Sequence, residues 1–144
     1  MTKLSWFGVM VSLLLVLGGP AQGDDRYLPS SQEWQTVIHA QIEAFRNHDA
    51  PTALSYASEE FHKQFTDPNA FFVAIISSGY SPIMESLSES FGAYELQGEN
   101  EVLQEVRLTG TDQTVYEAIY ELTHEAVGWR VHGVQLLKTK ALGI

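Results

Sequence analysis

Between residues 115 and 123 apolar and polar positions alternate. Tyr116, Ala118, Tyr120 and Leu122 fall on one face; Val115, Glu117, Ile119, Glu121 and Thr123 fall on the other. A period of two, rich in β-branched and aromatic residues, predicts a β-strand. Residues 129–138 alternate likewise, with Trp129, Val131, Gly133, Gln135 and Leu137 against Arg130, His132, Val134 and Leu136. Gly128 marks the turn, where positive φ is cheap for glycine. Pairing Thr123 with Gly128 across a four-residue loop sets Leu122 against Trp129, Tyr120 against Val131, Ala118 against Gly133 and Tyr116 against Gln135. It also sets Glu121 against Arg130, an opposite-charge pair worth roughly 0.2–1 kcal/mol. A slip by one residue would put Arg130 and His132 on the Tyr116/Tyr120 face. In this register Ala118 and Gly133 leave a shallow place in a bulky face, where a helix packs closely or a cavity opens.

Upstream the spacing changes to three and four. Trp34, Val37, Ile38, Gln41, Ile42 and Phe45 form one largely apolar stripe, with His39, Glu43 and Arg46 off it. This predicts a helix from the capping box Ser30-Ser31-Gln32-Glu33 to about Asn47. Asp49-Ala50-Pro51 restarts a helix, as a cap followed by a first-turn proline. Ser58 caps a third helix over residues 59–65 that buries Phe61 and Phe65. Asp67-Pro68 opens a fourth over residues 68–78, with Phe71, Phe72, Ile75 and Ile76 inward and Gly79 ending it. After Pro82, strands are predicted at residues 84–96, 101–109, 114–123 and 129–138, separated by glycine-led turns at Gly98 and Gly110. The layout is α+β: N-terminal helices packed on one face of a curved four-stranded antiparallel meander.

Composition trims the domain. Lys3, a 14-residue mostly apolar run to Leu17 and small residues at Ala21 and Gly23 predict a secretory signal over residues 1–23. The run is short for a spanning helix, which needs about 20 residues; an uncleaved anchor is the alternative. Residues 24–31 form a short lead, 32–138 one domain and 139–144 a tail. The expected location is secreted or periplasmic. No cysteine is present, so neither a disulfide nor a thiolate metal site is available. The net charge is −10, and since residues 1–23 carry one basic and no acidic residue, cleavage would take it to −11. Such a surface repels phosphate backbones and anionic membranes, so neither nucleic acid nor, after cleavage, a membrane is an expected partner.

Four groups of residues then stand out together: Gln41-Ile42-x-Ala44-Phe45-x-x-x-Asp49, Asp67-Pro68-x-x-Phe71, Gly79-Tyr80-x-Pro82 and Trp129-Arg130-Val131-x-Gly133. In this order they resemble a bacterial family known as domain of unknown function 4864, over residues 34–137. The wider layout is similar to the cone-shaped fold of nuclear transport factor 2 and ketosteroid isomerase. That resemblance implies helices and a curved sheet around a pocket, with sheet-mediated dimers common. The family carries no established activity.

The residues themselves offer a pocket around Tyr116 and Tyr120, with Gln135, Gln104 and Tyr80 as polar companions, suited to a small apolar ligand. The alternative is that a helix fills the gap and the tyrosines are structural. Ketosteroid isomerase works with a carboxylate base and hydrogen-bond donors; here Glu117 and Glu121 fall on the outer face and Asp49 is a cap, so no catalytic residue is assigned. Glu59-x-x-His62 is half of a di-iron motif without its second half, and the five histidines lack ligand spacing, so no metal or other cofactor is expected. Val115, Ile119, Val134 and Leu136, ringed by Glu117, Glu121, Arg130 and His132, would cluster on the outer sheet face and favour a homodimer there. The leading expectation is a non-catalytic binding or interaction module; the alternatives are an isomerase- or dehydratase-type enzyme and a structural envelope partner.

Overall fold

A computed structural model describes residues 28–139, with side chains to Leu137. The expected signal, the first half of the lead and residues 140–144 lie outside the described residues. Among the described residues, α1 (Ser31–Arg46), α2 (Ala50–Ser55), α3 (Glu59–Gln64), α4 (Pro68–Ile75) and α5 (Ser81–Glu85) precede β1 (Ser88–Leu96), β2 (Glu101–Thr109), β3 (Val115–Glu125) and β4 (Gly128–Thr139). The strands form one antiparallel sheet in sequential order.

Local chemistry explains most of the helix boundaries. Asp49 Oδ1 accepts the Thr52 N–H at 3.2 Å, and Asp67 Oδ1 accepts the Asn69 N–H at 3.0 Å. Each carboxylate satisfies one of the bare N–H groups at a helix start. Ser58 begins α3 without a side-chain cap bond; its hydroxyl lies 3.0 Å from His132 Nδ1 instead. The fourth helix stops three residues before the expected Ser78. A π-helical turn, Ile76–Tyr80, follows it, kinked at Gly79 with φ of 103°, a conformation that a side chain would strain. Pro82 then sits in the first turn of α5, where its fixed φ suits a helix. The strand expected from residue 84 therefore begins only at Ser88.

The apolar stripe of α1 carries the core. Trp34, Ile38, Ile42 and Phe45 are buried against Val102, Val106, Ala118, Tyr120, Leu122 and Val131 on the inner sheet face. Each large side chain so buried contributes about 1.5–3 kcal/mol. Trp34 meets Tyr94 and Trp129 edge-on, at 5.1 and 5.3 Å between ring centres.

The β3–β4 hairpin departs from the expected register. Glu125 pairs with Gly128, so the loop is two residues, Ala126 and Val127, and Gly128 takes φ of 121°. Leu122 faces Val131, and Thr123, not Glu121, faces Arg130. His132 is then an extra residue: Glu121 pairs with Gly133, Tyr120 with Val134, Ile119 with Gln135 and Ala118 with Leu136. A β-bulge of this kind switches the faces of everything beyond it. Continued alternation from the tight turn would send Gly133 and Gln135 to the core. The bulge sends Val134 and Leu136 there, and burying two aliphatic side chains outweighs one locally broken ladder.

β4 is an edge strand, and the helical layer covers its edge. Val131 N–H donates to Tyr56 O at 2.8 Å and Ser58 N–H to Val131 O at 2.9 Å. Tyr80 Oη donates to Val134 O at 2.9 Å. Exposed edges invite pairing with other chains, and these bonds occupy part of this one.

Candidate functional site

Beside those edge attachments the helices and β4 line a partly open cavity of about 280 Å³. Its wall is built by Phe45 of α1, Phe61 of α3, Phe71 and Ile75 of α4, and Val131 and Val134 of β4. Phe71 anchors the aromatic part, with Phe45, Phe61 and Phe65 rings centred 6.2, 5.8 and 5.7 Å away. Three polar side chains reach the wall: Gln41, Ser78 and Tyr80. Gln41 is 4% exposed and its Nε2 donates to Ala53 O at 3.0 Å. Ser78 Oγ donates to Ala74 O at 2.7 Å.

The Gly79-Tyr80-x-Pro82 motif now has a physical account. Gly79 turns the chain after α4, Pro82 restarts a helix, and Tyr80 between them spans from the helical layer to the β4 edge. Tyr80→Phe removes that hydrogen bond and is expected to lower stability by about 1 kcal/mol. Thermal denaturation checks it; an unchanged midpoint would show that the tie carries no weight.

Of the pocket residues expected from sequence, Tyr80 alone lines this cavity. Gln104 is fully buried elsewhere, accepting from Trp34 Nε1 at 2.8 Å and Gln35 Nε2 at 3.1 Å, and donating to the carbonyls of Gly92 and Glu105 at 3.1 and 2.9 Å. Tyr120 is wholly buried; burial, with some help from the Glu89 charge, pushes its hydroxyl well above the usual tyrosine range. Tyr116 is half-buried at the core's margin, and Gln135 is exposed opposite Ile119. The bulge separates the two small residues: Ala118 faces Leu136, while Gly133, opposite Glu121, lines the cavity. Gln41 was visible as the one amide in the apolar stripe of α1.

The outer face changes too. Val134 and Leu136 pack on the core. Ile119 lies between Glu105 and Gln135, and Val115 pairs with Thr109. Arg107 pairs with Glu117 at 2.6 Å, while Arg130 sits over the Tyr56 ring, 5.6 Å from its centre. Of the four apolar residues expected on this face, Val115 and Ile119 remain, and Leu137, exposed opposite Glu117, takes the place of Val134 and Leu136.

Two further clusters lie away from the cavity wall. Glu89, its side chain 7% exposed, accepts from Arg46 Nη2 at 2.7 Å and from His39 Nδ1. Burial pushes the Glu89 carboxyl up, but hydrogen bonds from His39 and Arg46 and the Arg46 charge outweigh it, holding the group below the usual range. Ser58 and His132 have the spacing of a nucleophile and base, yet Ser58 is 1% exposed and neither residue lines the cavity. The pair ties the start of α3 to the β4 bulge. Among the described residues, no three of the types His, Cys, Asp and Glu converge as metal ligands.

Helices followed by a four-stranded antiparallel sheet give this chain a nuclear transport factor 2-like α+β fold. The chain is similar in structure to an NTF-2-like protein of unknown function from Silicibacter pomeroyi, with a TM-score of 0.52 at 9% identity, covering 78% of this chain and all of that one. The chain belongs to the family described as Domain of unknown function (DUF4864), whose model matches residues 28–144. No curated protein matches it.

Proposed function

We propose that this is an exported domain that holds one small, mostly apolar molecule in the cavity without transforming it. One observation carries the reading: a space of about 280 Å³ bounded mainly by phenylalanine and aliphatic side chains, with no Asp, Glu or His on its wall. That volume is close to the lower end for ligand sites, about 300 Å³. A general base must reach the proton that it takes, and this wall supplies none. The N-terminal charge and hydropathy pattern supports export. Among the described residues, no helix is long and apolar enough to cross a membrane.

Native mass spectrometry of the protein from its own host tests the reading. The expected spectrum shows a defined added mass that Ile75→Trp, which fills the cavity from its wall, removes while circular dichroism stays unchanged. A chain without added mass that also binds no apolar probe in titration would sink the proposal.

A further inference from the structure

Resting on the cavity as a ligand site, we propose that its ligand is neutral and presents a hydroxyl or N–H group to Gln41 Oε1. The bond from Gln41 Nε2 to Ala53 O fixes which way round the amide lies, because a carbonyl can pair only with its NH₂ end. Among the described residues, nothing donates to Oε1. Gln41 is more than nine-tenths buried as a residue and on the cavity wall, and with Nε2 engaged, Oε1 is the polar atom it has to offer to the space that a ligand would fill. Buried acceptors normally have a partner from protein, water or ligand.

The other polar side chains sharpen the class. The Ser78 hydroxyl hydrogen goes to Ala74 O and that of Tyr80 to Val134 O. Both oxygens retain only acceptor capacity toward the cavity. The wall holds no Lys, Arg or His to balance a carboxylate, and no Asp or Glu to balance an ammonium; an unpaired buried charge is strongly disfavoured. At about 30 Å³ per water-sized unit, the space holds roughly nine or ten non-hydrogen atoms. Phe45, Phe61 and Phe71 offer ring faces and edges. A small phenol or cyclic alcohol meets all of these conditions; a fatty acid fails on charge and on length.

The test is calorimetric titration of the full chain with three para-substituted benzenes of matched size: para-propylphenol, para-propyltoluene and para-methylbenzoate. The phenol is expected to bind about tenfold tighter than the toluene, the ratio for one well-made hydrogen bond at a buried acceptor, and the benzoate weakest of the three. Gln41→Leu is expected to bring phenol and toluene within about twofold of each other. The wild-type ratio decides the matter even if that variant folds poorly. Equal binding of phenol and toluene overturns the donor assignment while leaving the cavity a ligand site. Tightest binding by the benzoate overturns neutrality. Binding of no probe at millimolar concentration overturns the site itself, and the assignment with it.

Discussion

Replacing Arg46 with methionine is expected to lower stability by about 3 kcal/mol at neutral pH, the scale for stranding one member of a largely buried ion pair. Arg46 and Glu89 side chains are 15% and 7% exposed, and the guanidinium also bonds Ser86 Oγ at 3.1 and 3.3 Å. Methionine keeps much of the hydrocarbon packing and removes the charge. Glu89 then keeps the burial that pushes its carboxyl up and the His39 hydrogen bond that holds it down, and loses the Arg46 hydrogen bond and charge. In the wild type, with Glu89 held below the unfolded glutamate value of about 4.3, the pair stabilises above that value and its contribution disappears as pH falls through the lowered folded value. In the variant, Glu89 takes up its proton more readily in the folded state, so acid relieves the penalty. Denaturant midpoints across a pH series should show the gap between the two proteins narrowing from neutrality toward pH ~4. A pH-independent gap would mean that Arg46 acts through packing alone.

The second large effect is expected at Gln104, and it separates structure from binding. Gln104→Leu keeps the volume but leaves the Trp34 indole N–H without its acceptor and the Gly92 carbonyl without its donor. That carbonyl sits in the β1 bulge, where Gly92 and Ala93 oppose the single residue Glu105. Unsatisfied buried groups cost about 1–3 kcal/mol each, so a loss of roughly 3 kcal/mol is expected. Trp34→Phe in the Gln104→Leu background should then lose less than in the wild type, because it removes the indole N–H already left bare; a double-mutant cycle reads this coupling. Probe affinity per folded molecule should stay unchanged, since Gln104 lies off the cavity wall. A fall in affinity without a fall in stability would return Gln104 to the binding site.

The sequence made α1 to α4 and the meander legible because each rests on local signals: the stripe from Trp34 to Phe45, the Asp-Pro caps and the alternation in β2 and β3. It hid α5, where Ile83 and Met84 look equally suited to a strand, and only burial of Ile83 distinguishes the two. It misplaced the pocket for one geometric reason. Strict alternation was carried through residue 132, and a bulge leaves no composition signal of its own. The Glu89–Arg46 bond joins positions 43 residues apart, a separation over which periodicity says nothing. Gln41 was readable as an anomaly in its stripe, but only the fold shows that the space beside it is open.

The bulge at His132 also divides β4 into two reading frames. Residues up to Val131 follow the frame set by the turn; those after Gly133 follow its complement. Deleting His132 would restore an uninterrupted strand and keep both halves in place, with Gly133 still opposite Glu121 and Val134 and Leu136 still facing inward opposite Tyr120 and Ala118. A one-residue deletion within the regular ladder beyond Gly133 would instead turn the rest of the strand over, because no extra residue is there to absorb it. Tolerance to insertion and deletion along this strand should therefore depend on distance from the bulge rather than on exposure.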